Sequence, residues 1–169
     1  MKAVLLAGGL GTRLAEETDS RPKPMVEIGG KPILWHIMKS YSYYGVNEFI
    51  ICCGYKGYAI KEYFVNYYLH NSDVTIDMQQ NTTQIHQNKS EPWKVTLVDT
   101  GDVTQTGGRL RRVRQFLYSG EVFCFTYGDG VGNVPIDKLI SKHNATGKMA
   151  TVTATRPPGR YGAIKFDDQ

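Results

Sequence analysis

Cysteine is scarce in this chain of 169 residues, with Cys52, Cys53 and Cys124 its only three. The number is odd and two of them are adjacent inside an apolar run, which excludes a disulfide framework and the spaced ligand pairs of a zinc site. A reducing, cytoplasmic compartment is therefore expected. Long apolar runs are missing too. The first, from Lys2 to Ala7, meets glycine at once and is too short for a signal-peptide core or a bilayer span, so neither export nor a membrane partner is expected. Charge of one sign is not in large excess: the net value of +4 and pI near 8.9 favour phosphate-bearing ligands but fall short of the continuous basic face of a nucleic-acid binder. His36, His70, His86 and His143 show no ligand spacing, and His36 in an apolar stretch reads as a packing residue. Repeats, low-complexity segments and a linker are absent, so one folded unit over residues 1–169 is expected.

What is present is an alternation. Short aliphatic runs give way repeatedly to longer amphipathic stretches, the pattern of βαβ units stacked around a parallel sheet. The fold class is therefore α/β. Buried strands are expected at residues 2–7, 48–53 and 122–127, the last as a central strand, with further strands at 73–79, 94–99, 149–156 and 161–167. Helices are expected at 33–44, stopped by Gly45, and at 57–70, 109–118 and 135–143. The polar stretch 81–91 reads as an exposed loop.

The first strand runs into Gly8-Gly9-Leu10-Gly11-Thr12-Arg13-Leu14. Glycines at the carboxyl edge of a sheet let backbone N–H groups approach an anion, although the same residues also serve a plain tight turn. Arg13 adds what a turn does not need, a charged fork able to pair two phosphate oxygens. No Gly-Lys-Ser/Thr of a Walker loop follows, and Leu14 stands where the dinucleotide fingerprint needs its third glycine. In Arg21-Pro22-Lys23-Pro24 two prolines fix the backbone around one lysine, either to hold a cation for phosphate or as an ordinary surface loop. Gly128-Asp129-Gly130 ends an expected strand and puts a hard carboxylate at the same edge. By itself it reads as a turn or as part of a Mg²⁺ site.

Together, the segment from Leu6 to Leu14 and Arg21-Pro22-Lys23-Pro24 resemble the signature of sugar-1-phosphate nucleotidyltransferases. Asp99-Thr100-Gly101 with Thr104-Gln105-Thr106-Gly107-Gly108-Arg109 most resembles the glucose-1-phosphate cytidylyltransferases among them. The resemblance implies a Rossmann-like mixed, mainly parallel sheet flanked by helices. It implies nucleotide contacts from Leu6, Ala7, Gly8, Gly9 and Leu10 and phosphate contacts from Gly11, Thr12, Arg13 and Lys23. It further implies Thr104 and Arg109 around the nucleotide, Mg²⁺ on Asp129 beside Gly128, and Gly162 leaving room for the hexose. Arg13, Lys23 and Asp129 are the implied catalytic groups, CTP and glucose 1-phosphate the implied substrates, and Mg²⁺ the implied cofactor. A homo-oligomer is expected, as is a further carboxyl-terminal portion beyond Gln169 that carries a second metal carboxylate.

Other readings stay open on the residues alone. Another base or sugar, UTP or dTTP for example, would use the same phosphate contacts, and a non-catalytic nucleotide-sugar-binding domain would share every motif. A nucleic-acid module exploiting the arginines between 109 and 114 lacks the exposed aromatic pattern that such binding uses.

Overall fold

The five residues of β1, Lys2–Leu6, are all buried, because this strand has a parallel neighbour on each edge and a packed layer on each face. The computed structural model describes residues 1–9, 21–87 and 90–155. It divides into two compact units, Met1–Val131 and Gly132–Gln169.

In the first unit, β1 is followed by a 3-10 turn, Lys23–Met25, and by a two-residue-strand hairpin, β2 (Glu27–Ile28) with β3 (Lys31–Pro32). Gly29 and Gly30 form its bend at φ +58° and +75°, where a side chain would be strained. Helix α1, Ile33–Tyr43, buries Leu34, Ile37, Met38 and Tyr41, the i, i+3, i+4 stripe that the sequence shows, and Gly45 closes it at φ +83°. Strand β4 is Glu48–Cys53, followed by α2 (Gly57–Val65), α3 (Tyr67–Asn71), β5 (Asp73–Asp77) and β6 (Thr82–His86). Strand β7 is Lys94–Asp99, α4 is Thr106–Val113 with a 3-10 turn at Arg114–Phe116, and β8 is Cys124–Tyr127.

The main sheet has the order β7-β4-β1-β8, and every pairing in it is parallel. One face packs Val4, Leu6, Ile50 and Cys52 against Val113 of α4, with Val98, Leu110, Leu117 and Phe123 at the margin. Each such aliphatic side chain contributes on the order of 2 kcal/mol by leaving water. The register pairs Leu6 with Cys52 and with Tyr127, and Cys53 with Asp99. All four strands consequently end at one edge of the sheet.

Several expectations need correction. The stretch at 81–91 is not all loop, since Thr82–His86 pairs antiparallel with Asp73–Asp77. Its residues are polar except Ile85, so no alternation marks it; Asp77 Oδ1 instead builds the turn, accepting from the backbone N–H of Gln79 and of Gln80 at 2.9 Å each. The helix expected at 57–70 breaks at Asn66, whose φ of −95° and ψ of 8° cap α2 and start α3. Strand β8 is half-exposed and forms the edge of the sheet among the described residues, not a buried centre. Helix α4 begins at Thr106, ahead of the expected Arg109, because Gly107 and Gly108 are weak helix formers that hide its first turn in the sequence.

In the second unit, α5 spans Ile136–Thr146, with Pro135 just before it and Gly147 closing it at φ +60°. Residues 149–155 form no strand, and Met149 and Val152 bury no apolar face there. The strand expected at 161–167 lies outside the described residues.

Candidate functional site

The parallel ladder runs one step past each strand end. Ala7 N–H donates to Cys52 O at 3.0 Å, Gly128 N–H to Leu6 O at 2.8 Å and Thr100 N–H to Cys53 O at 2.9 Å. The exits therefore start from fixed positions. They also abut backbone to backbone: a Cβ on Gly128 would lie 2.7 Å from Leu6 O, and one on Gly54 would lie 2.7 Å from Gly8 O and 2.9 Å from Gly101 O.

Arg109 of α4 binds three of these exits together. Only 4% exposed, it donates from Nη1 to Thr100 Oγ1 at 2.6 Å and Cys53 O at 3.2 Å, and from Nη2 to Gly8 O at 2.8 Å and Asp102 O at 3.0 Å. Thr100 in turn donates its hydroxyl to Cys53 O at 2.6 Å. The acceptors are neutral, so the buried guanidinium keeps its positive charge at the sheet edge, where an anion would complete it. A side chain on Gly8 would fall inside that guanidinium. Glycine at position 8 is thus needed for Arg109, apart from any phosphate contact. Arg111, Arg112 and Arg114 stay exposed, so the four arginines do not form one basic face.

A cavity of about 430 Å³ opens at this edge. Of the residues singled out in the sequence, Leu6, Ala7, Gly8, Gly9, Lys23, Thr104, Arg109 and Asp129 line it. Lys23 reaches it from the 3-10 turn, held between the buried Pro22 and Pro24, with Met25 N–H donating to Pro22 O at 2.7 Å. Lys23 Nζ lies 2.7 Å from Asp129 Oδ2, both side chains partly open to solvent. Gly128, itself buried, places Asp129 through its bond to Leu6 O. Leu10, Gly11, Thr12, Arg13 and Gly162 lie outside the described residues. Asp102 and Tyr127 also line the cavity and were not singled out. For Tyr127 the signal available was its place just before Gly128-Asp129 at a strand end; for Asp102 and for Thr100, seen only as part of a resemblance, nothing local was available.

The family model for nucleotidyl transferases matches residues 2–169. The chain belongs to the nucleotidyl transferase family. Glucose-1-phosphate cytidylyltransferase of Salmonella typhimurium is 65% identical to it over 164 residues, 97% of this chain and 64% of that protein. A probable glucose-1-phosphate cytidylyltransferase of Bacillus subtilis is 46% identical over 168 residues, 99% of this chain and 65% of the relative. The chain thus spans a little under two thirds of the length of these relatives. Among solved structures, UDP-glucose pyrophosphorylase from Acinetobacter baumanii superposes with a TM-score of 0.62 at 20% identity, covering 86% of this chain and 53% of that one, which shows a shared fold.

In this nucleotidyl transferase family member the cysteines are no candidates for nucleophilic chemistry. Burial pushes the Cys52 and Cys53 thiols up to about 11, so neither is a thiolate near neutral pH. No histidine lines the cavity among the described residues. The described residues contain no group of three His, Cys, Asp or Glu able to enclose a metal. Among the described residues Asp129 is the cavity carboxylate that pairs with a cation, and one hard carboxylate fits a Mg²⁺ ion that takes its remaining ligands from phosphate oxygens and water. No helix among the described residues is long and apolar enough to cross a membrane.

Proposed function

We propose that the protein transfers a cytidylyl group from CTP to α-D-glucose 1-phosphate, giving CDP-glucose and pyrophosphate in the presence of Mg²⁺. The observation that carries the chemistry is the meeting of Lys23 and Asp129 at the edge where Gly8, Gly9 and Arg109 also lie. One cation, one metal-binding carboxylate and a buried positive charge suit a polyphosphate. Base and sugar are taken from the relatives, whose names specify cytidylyl transfer to glucose 1-phosphate.

A phosphate oxygen of the sugar phosphate is already anionic, so in-line attack on the α-phosphorus needs no enzyme nucleophile and no general base. The bond to the bridging oxygen of pyrophosphate breaks as the new one forms. Catalysis then rests on alignment and on neutralising charge. Lys23, fixed by its flanking prolines, offers an ammonium to the phosphate chain once it parts from Asp129. Asp129 would hold Mg²⁺, which supplies Lewis-acid neutralisation of phosphate oxygens. Arg109 holds the Gly8 backbone in place and adds its charge to the field at the edge. For Arg13 the proposal remains a phosphate contact, and for Gly162 room for the hexose. The unpaired cysteines, of which Cys52 and Cys53 are buried, suit a reducing cytoplasm.

A pyrophosphate-release screen of the full-length protein over four nucleoside triphosphates and several sugar phosphates tests this proposal. CTP with glucose 1-phosphate is the expected best pair. A clear preference for UTP or dTTP would overturn the base assignment, and binding of nucleotide sugar without turnover would make the protein a sensor instead.

A further inference from the structure

Arg112 belongs by sequence to a solvated run of arginines, yet its guanidinium does not point away. Nη1 donates to Thr100 O and, at 2.6 Å, to Thr104 Oγ1. Thr104 is one of the residues that line the cavity. Its other branch is held as well: a Cβ on Gly108 would lie 2.8 Å from Thr104 Cγ2, so the methyl rests against the backbone of α4 where only glycine leaves room. Gly101 completes the arrangement. Its φ is +79°, and a Cβ there would lie 2.6 Å from Arg112 Nη1 and 3.0 Å from Thr104 Oγ1, between the two groups. Both substituents on the Thr104 Cβ are thus fixed, one by packing and one by a charged donor.

A hydroxyl that accepts from a guanidinium is polarised. It becomes a stronger donor through its own hydrogen and a weaker acceptor through its remaining lone pair. Thr104 follows β7, whereas Asp129 follows β8, three strand spacings away across the order β7-β4-β1-β8. At ~4.8 Å per spacing the ends of these two strands are about 14 Å apart, so the cavity between their exits can take an extended nucleotide lying across the sheet edge. With the phosphates at Lys23 and Asp129, the base falls on the Thr104 side.

We propose that Arg112 is a positioning residue for base selection, acting through Thr104 so that its hydroxyl donates to an acceptor on the pyrimidine ring. This inference rests on the proposed use of CTP. Cytosine carries an acceptor at ring nitrogen 3, whereas uracil carries an N–H there. A hydroxyl biased towards donation favours the first and meets the second donor to donor.

The experiment compares kcat/KM for CTP and UTP in the full-length protein and in Arg112→Met, Arg112→Lys, Thr104→Val and the double variant Arg112→Met/Thr104→Val, each checked for folding by circular dichroism. Arg112→Met is expected to reduce the CTP-to-UTP preference about fivefold to tenfold, the scale of one hydrogen bond, mainly through KM for CTP. Arg112→Lys should recover part of it. In the Thr104→Val background the same substitution should have no further effect on the ratio, because the group it acts through is gone. An equal loss for both nucleotides, or an undiminished effect of Arg112→Met without the Thr104 hydroxyl, would overturn the inference while leaving the proposed function standing. A wild-type preference for UTP would overturn both.

Discussion

Lys23 Nζ and Asp129 Oδ2 are 2.7 Å apart although 106 residues separate them in the chain. The pair joins the proline-flanked turn to the exit of β8 at the mouth of the cavity. Both side chains are partly open to solvent, so as a stabilising contact it is worth only about 0–1 kcal/mol. Its proposed value lies in what each partner does once separated by substrate and metal. Lys23→Met and Asp129→Asn should each shift the urea midpoint little while turnover falls by about 10²-fold or more, the scale of removing one preorganised electrostatic group. A large stability loss with near-normal turnover of the folded fraction would make the pair structural.

Arg109 should behave in the opposite way. Arg109→Lys puts one ammonium where two guanidinium nitrogens span Gly8 O, Asp102 O and Thr100 Oγ1, while Cys53 O keeps its two bonds from Thr100, and a stability loss of about 2–4 kcal/mol is expected. Exposed Arg111→Ala, on the same helix, should stay within about 0.5 kcal/mol of wild type. Denaturant titration of the two variants side by side checks this. Equal effects would remove Arg109 from its bracing role.

Two glycines divide on the same geometry. Gly8→Ala would drive a methyl group into the Arg109 guanidinium and should destabilise the sheet edge, whereas Gly107→Ala meets nothing within 4 Å among the described residues and should stabilise α4 by about 0.5–1 kcal/mol. Thermal melts decide it. A stable Gly8→Ala protein would show that Arg109 can move aside freely.

The pH dependence of stability carries the mark of Cys52 and Cys53. Burial raises both thiols to about 11 in the folded state, so an unfolded chain loses these protons first as pH rises. Their contribution is complete below the ordinary thiol range and is lost between that range and about pH 11. Wild type should therefore lose more stability between pH 8 and 10 than Cys52→Ala/Cys53→Ala, a control that cancels the other alkaline groups. Identical slopes would show that the thiols already ionise in the folded protein.

Strands β4 and β7 are readable to the residue and β1 to within one: β1 and β4 are nearly continuous buried runs, and β7, only half-buried, is a short apolar and β-branched run with little to compete. Strand β6 is not, since its pairing with β5 is polar and its turn depends on the Asp77 carboxylate. The start of α4 is hidden by Gly107 and Gly108, of which Gly108 makes sense only once Thr104 is seen lying on it. In the site, Lys23 and Asp129 are marked by proline and glycine neighbours, but those neighbours fit a surface loop and a plain turn as well, and it is the resemblance that picks the two residues out. Arg109 was visible as a residue but not as a buried one, although its i, i+4 relation to Val113 placed it on the apolar face of the helix. Thr100 and Arg112 carry no local signal, because their partners come from other strands and loops.

The most direct measurement uses α-D-glucose 1-phosphate carrying heavy oxygen in its phosphoryl group, incubated with CTP, Mg²⁺ and the full-length protein, with products resolved by mass spectrometry. Attack by the sugar phosphate on the α-phosphorus places all of the label in CDP-glucose and none in pyrophosphate, and no labelled product forms without the metal. Failure to form CDP-glucose, or label found in the released pyrophosphate, would contradict the account.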